Sequence, residues 1–510
     1  MDKEIIYLCL TYKQRDMKLI RLIFTSALIV FSFTNLTAQN NYSTNATSYG
    51  INAFGSAATG DNTPFWITSN QYGIVPLEAG NGYLDVEVFH FQNLNKGFKW
   101  GAGLDLIASA PRYKNAYIQQ LFIEFGYKNL FLTIGSKEQY RSLWDKNLSS
   151  GDMMQSANAR PIPEINIHIP DFIVVPYTRG WLQLKGNVAV GRSFDSNYLG
   201  DFIQKEQTYI KNVLWHHKSG FIRIQDTKND FPIFLTLGLQ HTVQWGGTST
   251  NPAIGKQPQS FKDFIRVFFG KQGDEGASIS DQINALGSHH ISYDFQLGFK
   301  KADWSLQAYY QHLSADRSGL LLYNGTDGLW GGQLELKKVS WLKKVVIEYF
   351  TTKNQSGPFH FIDFDHEKYP GRGGGGDNYY NNGEYVTGYS YFNRGVGSPL
   401  VPAPEYNTNG KLGFSSTRVQ DWHIGLEGDL SSQVSYRVLA TIMNGWGTPY
   451  QPFLKKKTGT SCLIDIFYSH PKLTGWSFKG TAAADTGDVL GKKSLGFSFS
   501  VRKEGLLKTW

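Results

Sequence analysis

The densest group of side chains able to recognise a ligand lies between residues 353 and 417. Tyrosines alternate there with arginines, an aspartate and asparagines, and the candidate contacts are Arg372, Asp377, Tyr379, Tyr380, Tyr385 and Arg394. Sugars present apolar C–H faces edged by hydroxyl groups, so they suit flat aromatic rings beside polar side chains. Arg372 and Arg394 would pair with an acidic sugar through charge-assisted bonds. Alternatively, the tyrosines pack this segment against the rest of the protein or belong to an aromatic girdle at a membrane interface.

Histidines and acids raise the question of a metal site. The pairs His216–His217 and His289–His290 are adjacent, and neighbours on a strand point to opposite faces, which is poor geometry for a single ion. A cluster better spaced for a hard cation such as Ca²⁺ comprises His360, Asp363, Asp365 and His366. The run Gly373–Gly376 lacks the Lys-Ser/Thr of a phosphate loop and is interpreted as a turn. We expect no metal and no cofactor.

Catalytic signatures are missing from the sequence, which contains neither a G-x-S-x-G elbow nor an H-E-x-x-H helix. The acids Asp363 and Asp365 would serve a glycosidase only if two carboxyls faced each other about 5 to 9 Å apart across a cleft. We therefore expect no catalytic residue, and a glycan hydrolase stays an alternative.

The composition limits the elements that can position these residues. Only 18% of the 510 residues are charged, against about 25% in a typical soluble domain, while 15% are aromatic and 54 are glycine. The aromatic content excludes a disordered chain, and two cysteines exclude a disulfide scaffold. A mean hydropathy of −0.33 excludes a bundle of membrane helices. The net charge of +8 suits acidic partners, but it is not clustered enough to predict nucleic-acid binding.

The first 38 residues predict an upstream extension followed by a secretory signal peptide. A basic start at Met17–Arg21 precedes the apolar run Leu22–Phe33, and Ala38 offers a small residue for cleavage. The apolar run is too short to span a membrane, which takes about 20 residues. Residues 39–510 are then expected to form a single domain.

The rest of the chain alternates in polarity with a period of two. In Ser494–Val501, for example, Leu495, Phe497 and Phe499 would face one side of a strand and the intervening serines and glycine the other. The apolar face would be core in a soluble sandwich, whereas it would meet lipid in a membrane barrel.

The lengths of the connectors separate these two interpretations. About eighteen strands are expected, with sixteen as an alternative count, and the segments are 46–56, 83–92, 99–108, 117–126, 129–136, 177–185, 187–194, 220–226, 233–243, 291–300, 304–312, 329–338, 343–352, 418–429, 433–443, 461–468, 475–484 and 494–503. Short and long connectors alternate, as in bacterial barrels with short periplasmic turns and long extracellular loops. The sequence therefore predicts an all-β fold, a transmembrane antiparallel up-and-down barrel whose lumen is occluded by long extracellular loops.

Seven stretches of the sequence resemble the capsule assembly protein Wzi family of outer-membrane proteins. They are Asn62–Gly73, Asn158–Ile165, Gly238–Gly247, Asp327–Gly332, Glu348–Pro358, Gly376–Asn382 and Thr417–Gly425. The resemblance implies an 18-stranded barrel with a closed lumen in the outer membrane of a Gram-negative bacterium. It also implies a lectin-like, non-enzymatic role in attaching capsular polysaccharide to the cell surface.

The expected partners are capsular or surface polysaccharide, outer-membrane lipids and the outer-membrane assembly machinery, with no nucleic acid. The alternative function from another class is a porin or transport channel for small solutes or oligosaccharides.

Overall fold

The computed structural model describes residues 45–111, 116–203, 207–228, 231–357, 367, 375–407, 410–491 and 493–510. The predicted signal segment 1–38 lies outside these residues and stays a prediction. Arg372 and the acid–histidine cluster at 360–366 also lie outside them.

Eighteen strands form one antiparallel sheet. In chain order they are β1 Ala46–Asn62, β2 Glu78–Asn93, β3 Phe98–Ala110, β4 Ala116–Tyr127, β5 Leu130–Ser136, β6 Glu164–Val174, β7 Leu182–Arg192, β8 Leu214–Ile224, β9 Ile233–Trp245, β10 Ser288–Lys300, β11 Trp304–Ser314, β12 Gly328–Leu336, β13 Lys344–Thr351, β14 Gln420–Asp429, β15 Val434–Gly447, β16 Pro452–Ser469, β17 Trp476–Gly487 and β18 Ser494–Thr509.

The sheet closes on itself. Each strand pairs with the next, and β1 pairs with β18 from Ala46 opposite Thr509 to Ala58 opposite Gly496. Closure satisfies the backbone N–H and C=O groups that hydrocarbon could not. The predicted barrel and its count of eighteen strands are confirmed.

The two faces of the wall have the polarity of a membrane barrel. On β9, Leu237 and Leu239 point outward and are 48% and 49% exposed, whereas Gln240 and Thr242 are buried on the inner side. A soluble sandwich would bury the leucines, so the structure decides between the two sequence interpretations. Among the described residues, no helix is both long enough and apolar enough to cross a membrane.

The connectors differ in length between the two rims. On one rim, which also holds both strand ends nearest the termini, the turns are at most eight residues long: 94–97, 128–129, 175–181, 225–232, 301–303, 337–343, 430–433 and 470–475. The other rim carries every long connector, including 63–77, 137–163, 193–213, 246–287 and 352–419. We call the first the periplasmic rim and the second the outer rim, as predicted.

One pair of predicted strands is wrong. The expected strands 177–185 and 187–194, joined at Gly186, are replaced by β6 at Glu164–Val174 and β7 at Leu182–Arg192. Gly186 lies inside β7, opposite Gly220 of β8. The prediction failed because the prolines preceding β6 favoured a loop, although Ile165, Ile167 and Ile169 alternate as a strand requires.

Short helices occur in the outer connectors. They are α1 Phe65–Thr68, α2 Ser196–Phe202, α3 Phe261–Phe269, α4 Ile279–Ile283 and α5 Arg317–Leu320. Single 3₁₀ turns occupy Asn95–Gly97 and Pro404–Tyr406. Two-residue ribbons pair Ile210–Lys211 with Thr248–Ser249 and Ser390–Tyr391 with Arg394–Gly395.

Segment 137–163, the inner plug, folds into the lumen. Glu348 of β13 accepts hydrogen bonds from Ser149 Oγ and the Ser150 N–H, both at 2.7 Å. Lower down, Lys344 Nζ lies 2.6 Å from Asp145 Oδ2, close to the periplasmic rim. The plug therefore runs through most of the height of the lumen.

Segments 63–77 and 375–407 close the lumen above the inner plug. Trp66 Nε1 donates to Thr441 Oγ1 of β15 at 3.0 Å, and the Phe65 N–H donates to Asp485 Oδ2 of β17 at 2.8 Å. Tyr389 donates to the Met154 carbonyl of the inner plug at 2.7 Å. The predicted occlusion of the lumen by outer loops is confirmed.

Segment 246–287, the outer flap, folds the other way, against the outside of the wall. Helix α3 begins with a capping box between Ser260 and Asp263 and ends at Gly270 in the left-handed conformation. Its Phe264 and Phe268 rings lie 5.5 and 5.1 Å from the ring of His216, an outward-facing residue of β8.

Candidate functional site

Five of the six predicted polysaccharide contacts are described, and all five are buried. Asp377, Tyr379, Tyr380, Tyr385 and Arg394 lie in segment 375–407, the cap, and none is more than 8% exposed. The structure brings them into one segment but not onto one open surface.

The three tyrosines bond to the protein itself. Tyr380 donates to the Met153 carbonyl of the inner plug at 2.8 Å, and Tyr385 donates to the Gly246 carbonyl at 3.3 Å. Tyr379 accepts from Asn324 Nδ2 at 2.6 Å. These contacts fasten the cap to its surroundings.

The two charged residues are also engaged. Arg394 donates to the carbonyls of Thr68 and Val75 at 2.8 and 2.6 Å, and its Nε lies 3.0 Å from Glu405 Oε2. Asp377 accepts from Ser356 Oγ at 2.9 Å. Burial, followed by the charge of the nearby Asp316, raises the pKa of the Asp377 carboxyl well above its usual range. Both arrangements support the packing alternative for these residues, and their contact with sugar stays a prediction.

The histidine pairs point to opposite faces of the wall, as predicted. His216 lies outside beneath α3, whereas His217 Nδ1 lies 3.0 Å from Asn187 Nδ2 on the inner side. His289 Nδ1 meets His241 Nε2 at 2.8 Å on the outside, and the centre of the His290 ring lies 4.4 Å from that of Tyr389 on the inside.

Three buried acids of the wall come close enough together to share a cation. Asp85, Glu87 and Asp105 each place an oxygen within 4.8 Å of the others. Glu87 is paired with Arg502, and Asp105 accepts from Gln120 Nε2 at 3.0 Å. These contacts account for the group as part of the polar lumen.

The structure shows a different candidate site, a cleft of about 860 Å³ between the cap and the wall at the outer rim. We call it the outer cleft, and the side chains that define it are Tyr117, Arg160, Phe194, Asn197, Tyr198, Asp201, Phe202 and Phe392. They come from β4, the end of the inner plug, α2, Phe194 two residues before that helix, and the cap.

A row of planar groups runs along the outer cleft. The Arg160 guanidinium lies 4.1 Å from the centre of the Tyr117 ring and 4.5 Å from that of Phe392. The centre of the Phe392 ring lies 5.4 Å from that of Tyr198, and the Tyr198 ring stacks on that of Phe202 with their centres 6.0 Å apart. Arg160 is held in place by the bonds that its Nη2 and Nε donate to Ile118 O at 2.8 Å and Gln119 Oε1 at 3.2 Å.

Helix α2 and the cap are held together by Asp195, which precedes the helix. Its Oδ2 accepts from the Phe392 N–H at 3.1 Å, so Phe392 is fixed against Tyr198. Burial raises the pKa of Asp195 to about 6, and the Phe392 bond opposes that rise. Helix α2 is anchored by buried Leu199, which leaves Phe194, Asn197 and Asp201 exposed.

This combination of groups suits a carbohydrate. Aromatic faces offer area to sugar C–H groups, and Asn197 and Asp201 can bond hydroxyls at the edge of the cleft. The stretch Ser193–Phe202 has the aromatic, Asn and Asp composition that marked residues 353–417, and the same criterion would have identified it. Its proximity to Arg160 and Phe392 follows only from the fold.

The chain matches the family described as capsule assembly protein Wzi over residues 37–403. A search among curated proteins finds no match. The family match covers most of the chain, including the inner plug, α2 and most of the cap.

The chain is also similar to solved structures. One is Wzi from Escherichia coli, described as an outer membrane protein involved in group 1 capsule assembly and a carbohydrate-binding β-barrel. It is 12% identical with a TM-score of 0.53, over 89% of this chain and 83% of that one. Another is OpdQ from Pseudomonas aeruginosa, at 9% identity and a TM-score of 0.46, over 91% and 99% of the two chains. This chain thus belongs to the capsule assembly protein Wzi family and is a β-barrel of the Gram-negative outer membrane.

Proposed function

We propose that this protein binds capsular or surface polysaccharide in the outer cleft and so holds it at the cell surface, without catalysing a reaction. The observation that carries the proposal is the row of rings around Arg160, open at the rim that faces the cell exterior. Planar groups spaced along a cleft suit successive sugar units, and a guanidinium suits an acidic one.

The rest of the molecule supports a binding role. The inner plug and the cap fill the lumen, so the barrel offers a rigid wall rather than an open path. The family match is to capsule assembly, and the E. coli structure is described as carbohydrate-binding. Insertion of the closed barrel would depend on the outer-membrane assembly machinery.

The sequence-predicted residues take a supporting part in this proposal. Arg394 lines the outer cleft while it bonds to Thr68, Val75 and Glu405. Tyr380 fixes the cap on the inner plug. We propose that both position Phe392 and Tyr391 for the ligand.

The decisive experiment is binding of the purified protein to surface polysaccharide from the producing bacterium, measured beside a glycan array. We expect Phe194→Ala and Tyr198→Ala to weaken binding at least tenfold, since each removes a ring from the cleft. Phe261→Ala is the matched control, because Phe261 is 77% exposed on the outer flap and outside the cleft. Equal affinities for all these proteins would refute the cleft as the site.

Cells lacking the protein test the biological role. We expect polysaccharide to be shed into the medium, and cells that keep all of it attached would contradict the proposal. Conductance in a planar bilayer tests the channel alternative, and release of reducing ends from the polysaccharide tests the hydrolase alternative. We expect no conductance and no released reducing ends.

A further inference from the structure

The outer cleft opens in two directions. At its upper end Asn197 and Asp201 meet solvent at the outer rim. At its lower end the lining includes Ile118 and Leu121 of β4, which are 49% and 53% exposed. Both lie on the same outward face as Ile123, so this end of the cleft faces lipid.

A missing stretch of strand pairing produces the lower opening. Strand β5 ends at Ser136 opposite Leu121, where the inner plug turns into the lumen. Among the described residues, β4 from Ala116 to Gln120 pairs with β3 on one side and with no strand on the other.

The Arg160 side chain occupies this gap instead of a strand. Arg160 donates to the Ile118 carbonyl, which a neighbouring strand would otherwise bond. Gly135, next to the end of β5, has φ +116°, and a Cβ there would lie 2.1 Å from the Leu121 carbonyl oxygen. The wall is thus replaced here by a cleft that connects the cell exterior with the outer leaflet.

We propose that the outer cleft takes a lipid-linked glycan, with its sugars on the row of rings and its acyl chains along Ile118 and Leu121. This inference rests on the proposed function and adds to it the class of ligand. A free polysaccharide would use only the upper end and would leave the apolar lower end unoccupied. An amphipathic glycolipid already in the outer leaflet matches both ends and reaches the cleft by lateral diffusion.

The chemistry of the two ends of the cleft sets which part of the ligand binds at each end. The Arg160 guanidinium, in contact with the rings of Tyr117 and Phe392, lies near the boundary between the two ends of the cleft. An anionic group at the junction of sugar and lipid, such as a phosphate or a sugar carboxylate, would therefore lie beside a fixed positive charge.

Two probes that differ only in the lipid test the inference. They are smooth lipopolysaccharide and the lipid-free polysaccharide released from it by mild acid, each titrated against the protein in phospholipid nanodiscs. We expect the lipid-linked form to bind at least tenfold more tightly. Leu121→Ala should reduce that advantage several-fold without changing the affinity for the lipid-free form. Ile123→Ala is the matched control on the same strand, and it should change neither affinity.

The outcomes separate this inference from the proposed function. Equal binding of the two probes, both weakened by Phe194→Ala, would overturn the lipid-linked ligand and leave polysaccharide binding in place. Equal losses from Leu121→Ala and Ile123→Ala would show a general lipid effect and would also overturn it. Binding of neither probe, nor of the polysaccharide from the producing bacterium, would overturn both.

Discussion

The inner plug and the outer flap start from the same rim and fold to opposite sides of the wall. The inner plug turns into the lumen, where its Leu148, Met153 and Met154 are completely buried. The outer flap lies on the outside, and its Phe261 and Phe269 are 77% and 65% exposed.

The partners available on each side explain the difference. The lumen offers polar side chains, so plug backbone can be buried with its hydrogen bonds made; the Met153 N–H, for example, donates to Gln311 Oε1 at 2.8 Å. The outside offers polar residues that lipid could not satisfy, and the rings of α3 cover them. His216 lies under Phe264 and Phe268, and Lys218 Nζ lies 3.8 Å from the centre of the Phe268 ring. The plug therefore fills the barrel, while the flap shields its wall.

The largest expected effect comes from breaking the plug at Glu348. In Glu348→Ala, three donors on Ser149, Ser150 and Tyr309 lose their acceptor, at roughly 1–3 kcal/mol each. We expect channel openings in a planar bilayer, where the unaltered protein is expected to be silent. Glu348→Gln keeps an acceptor oxygen and should open less often. A silent Glu348→Ala protein would show that other contacts hold the plug.

Breaking the flap should affect stability without opening the lumen. Phe264→Ala removes a partly buried ring that contacts His216 and Trp245, at roughly 3 kcal/mol. We expect faster proteolysis within 246–287 and unchanged bilayer conductance. Phe261→Ala, which removes an exposed ring, should stay within about 0.5 kcal/mol. Conductance in Phe264→Ala would contradict the division of roles.

The two segments should also differ in their response to pH. Burial raises the pKa of Glu138 in the plug from 4.5 to about 8. The hydrogen bond from Gln119 and the charge of Lys146 oppose this rise, whereas the charges of Asp105 and Glu87 add to it. Burial, together with the charge of Glu384, raises the pKa of Asp281 in the flap from 3.8 to about 7. The hydrogen bond from the Gly287 N–H opposes this rise.

Because each folded-state pKa lies above its ordinary value, each segment is most stable at low pH and loses stability as pH rises through its window. The plug should lose stability between about pH 4.5 and 8, and the flap between about pH 3.8 and 7. Hydrogen-exchange protection factors measure this, since they divide out the intrinsic rate. Glu138→Gln should remove the pH dependence of protection in the plug alone, and Asp281→Asn that in the flap alone. Loss of the pH dependence in both segments from either substitution would mean that the segments unfold together.

The smallest expected effect is at Tyr380, where the cap meets the plug. Tyr380→Phe loses the bond to the Met153 carbonyl, about 1 kcal/mol, and keeps the ring. We expect a small loss of thermal stability and a loss of polysaccharide binding of about twofold or less, because the ring still packs the cap against the plug. A binding loss comparable to that of Tyr198→Ala would restore Tyr380 as a direct sugar contact.

Most of the wall could be predicted from the sequence, because a strand between lipid and a polar lumen must alternate residue by residue. The alternation was missed at β6, where Pro163 precedes the strand, Pro170 lies within it and the register shifts between Ile169 and Ile173. The candidate site was harder to predict. Aromatic and charged residues between 353 and 417 indicated a recognition segment, yet the same composition serves a buried cap.

The sequence by itself determined the closed barrel, its apolar outside and the side on which the long loops lie, since these follow from alternation and connector length, which are local along the chain. Only the tertiary structure decided where each loop goes and which rings stay exposed. These outcomes depend on contacts between residues far apart in sequence. Examples are the point at which β5 stops pairing with β4, the polar partners inside the lumen and the contact of Arg160 with Phe392. No local sequence pattern encodes such contacts.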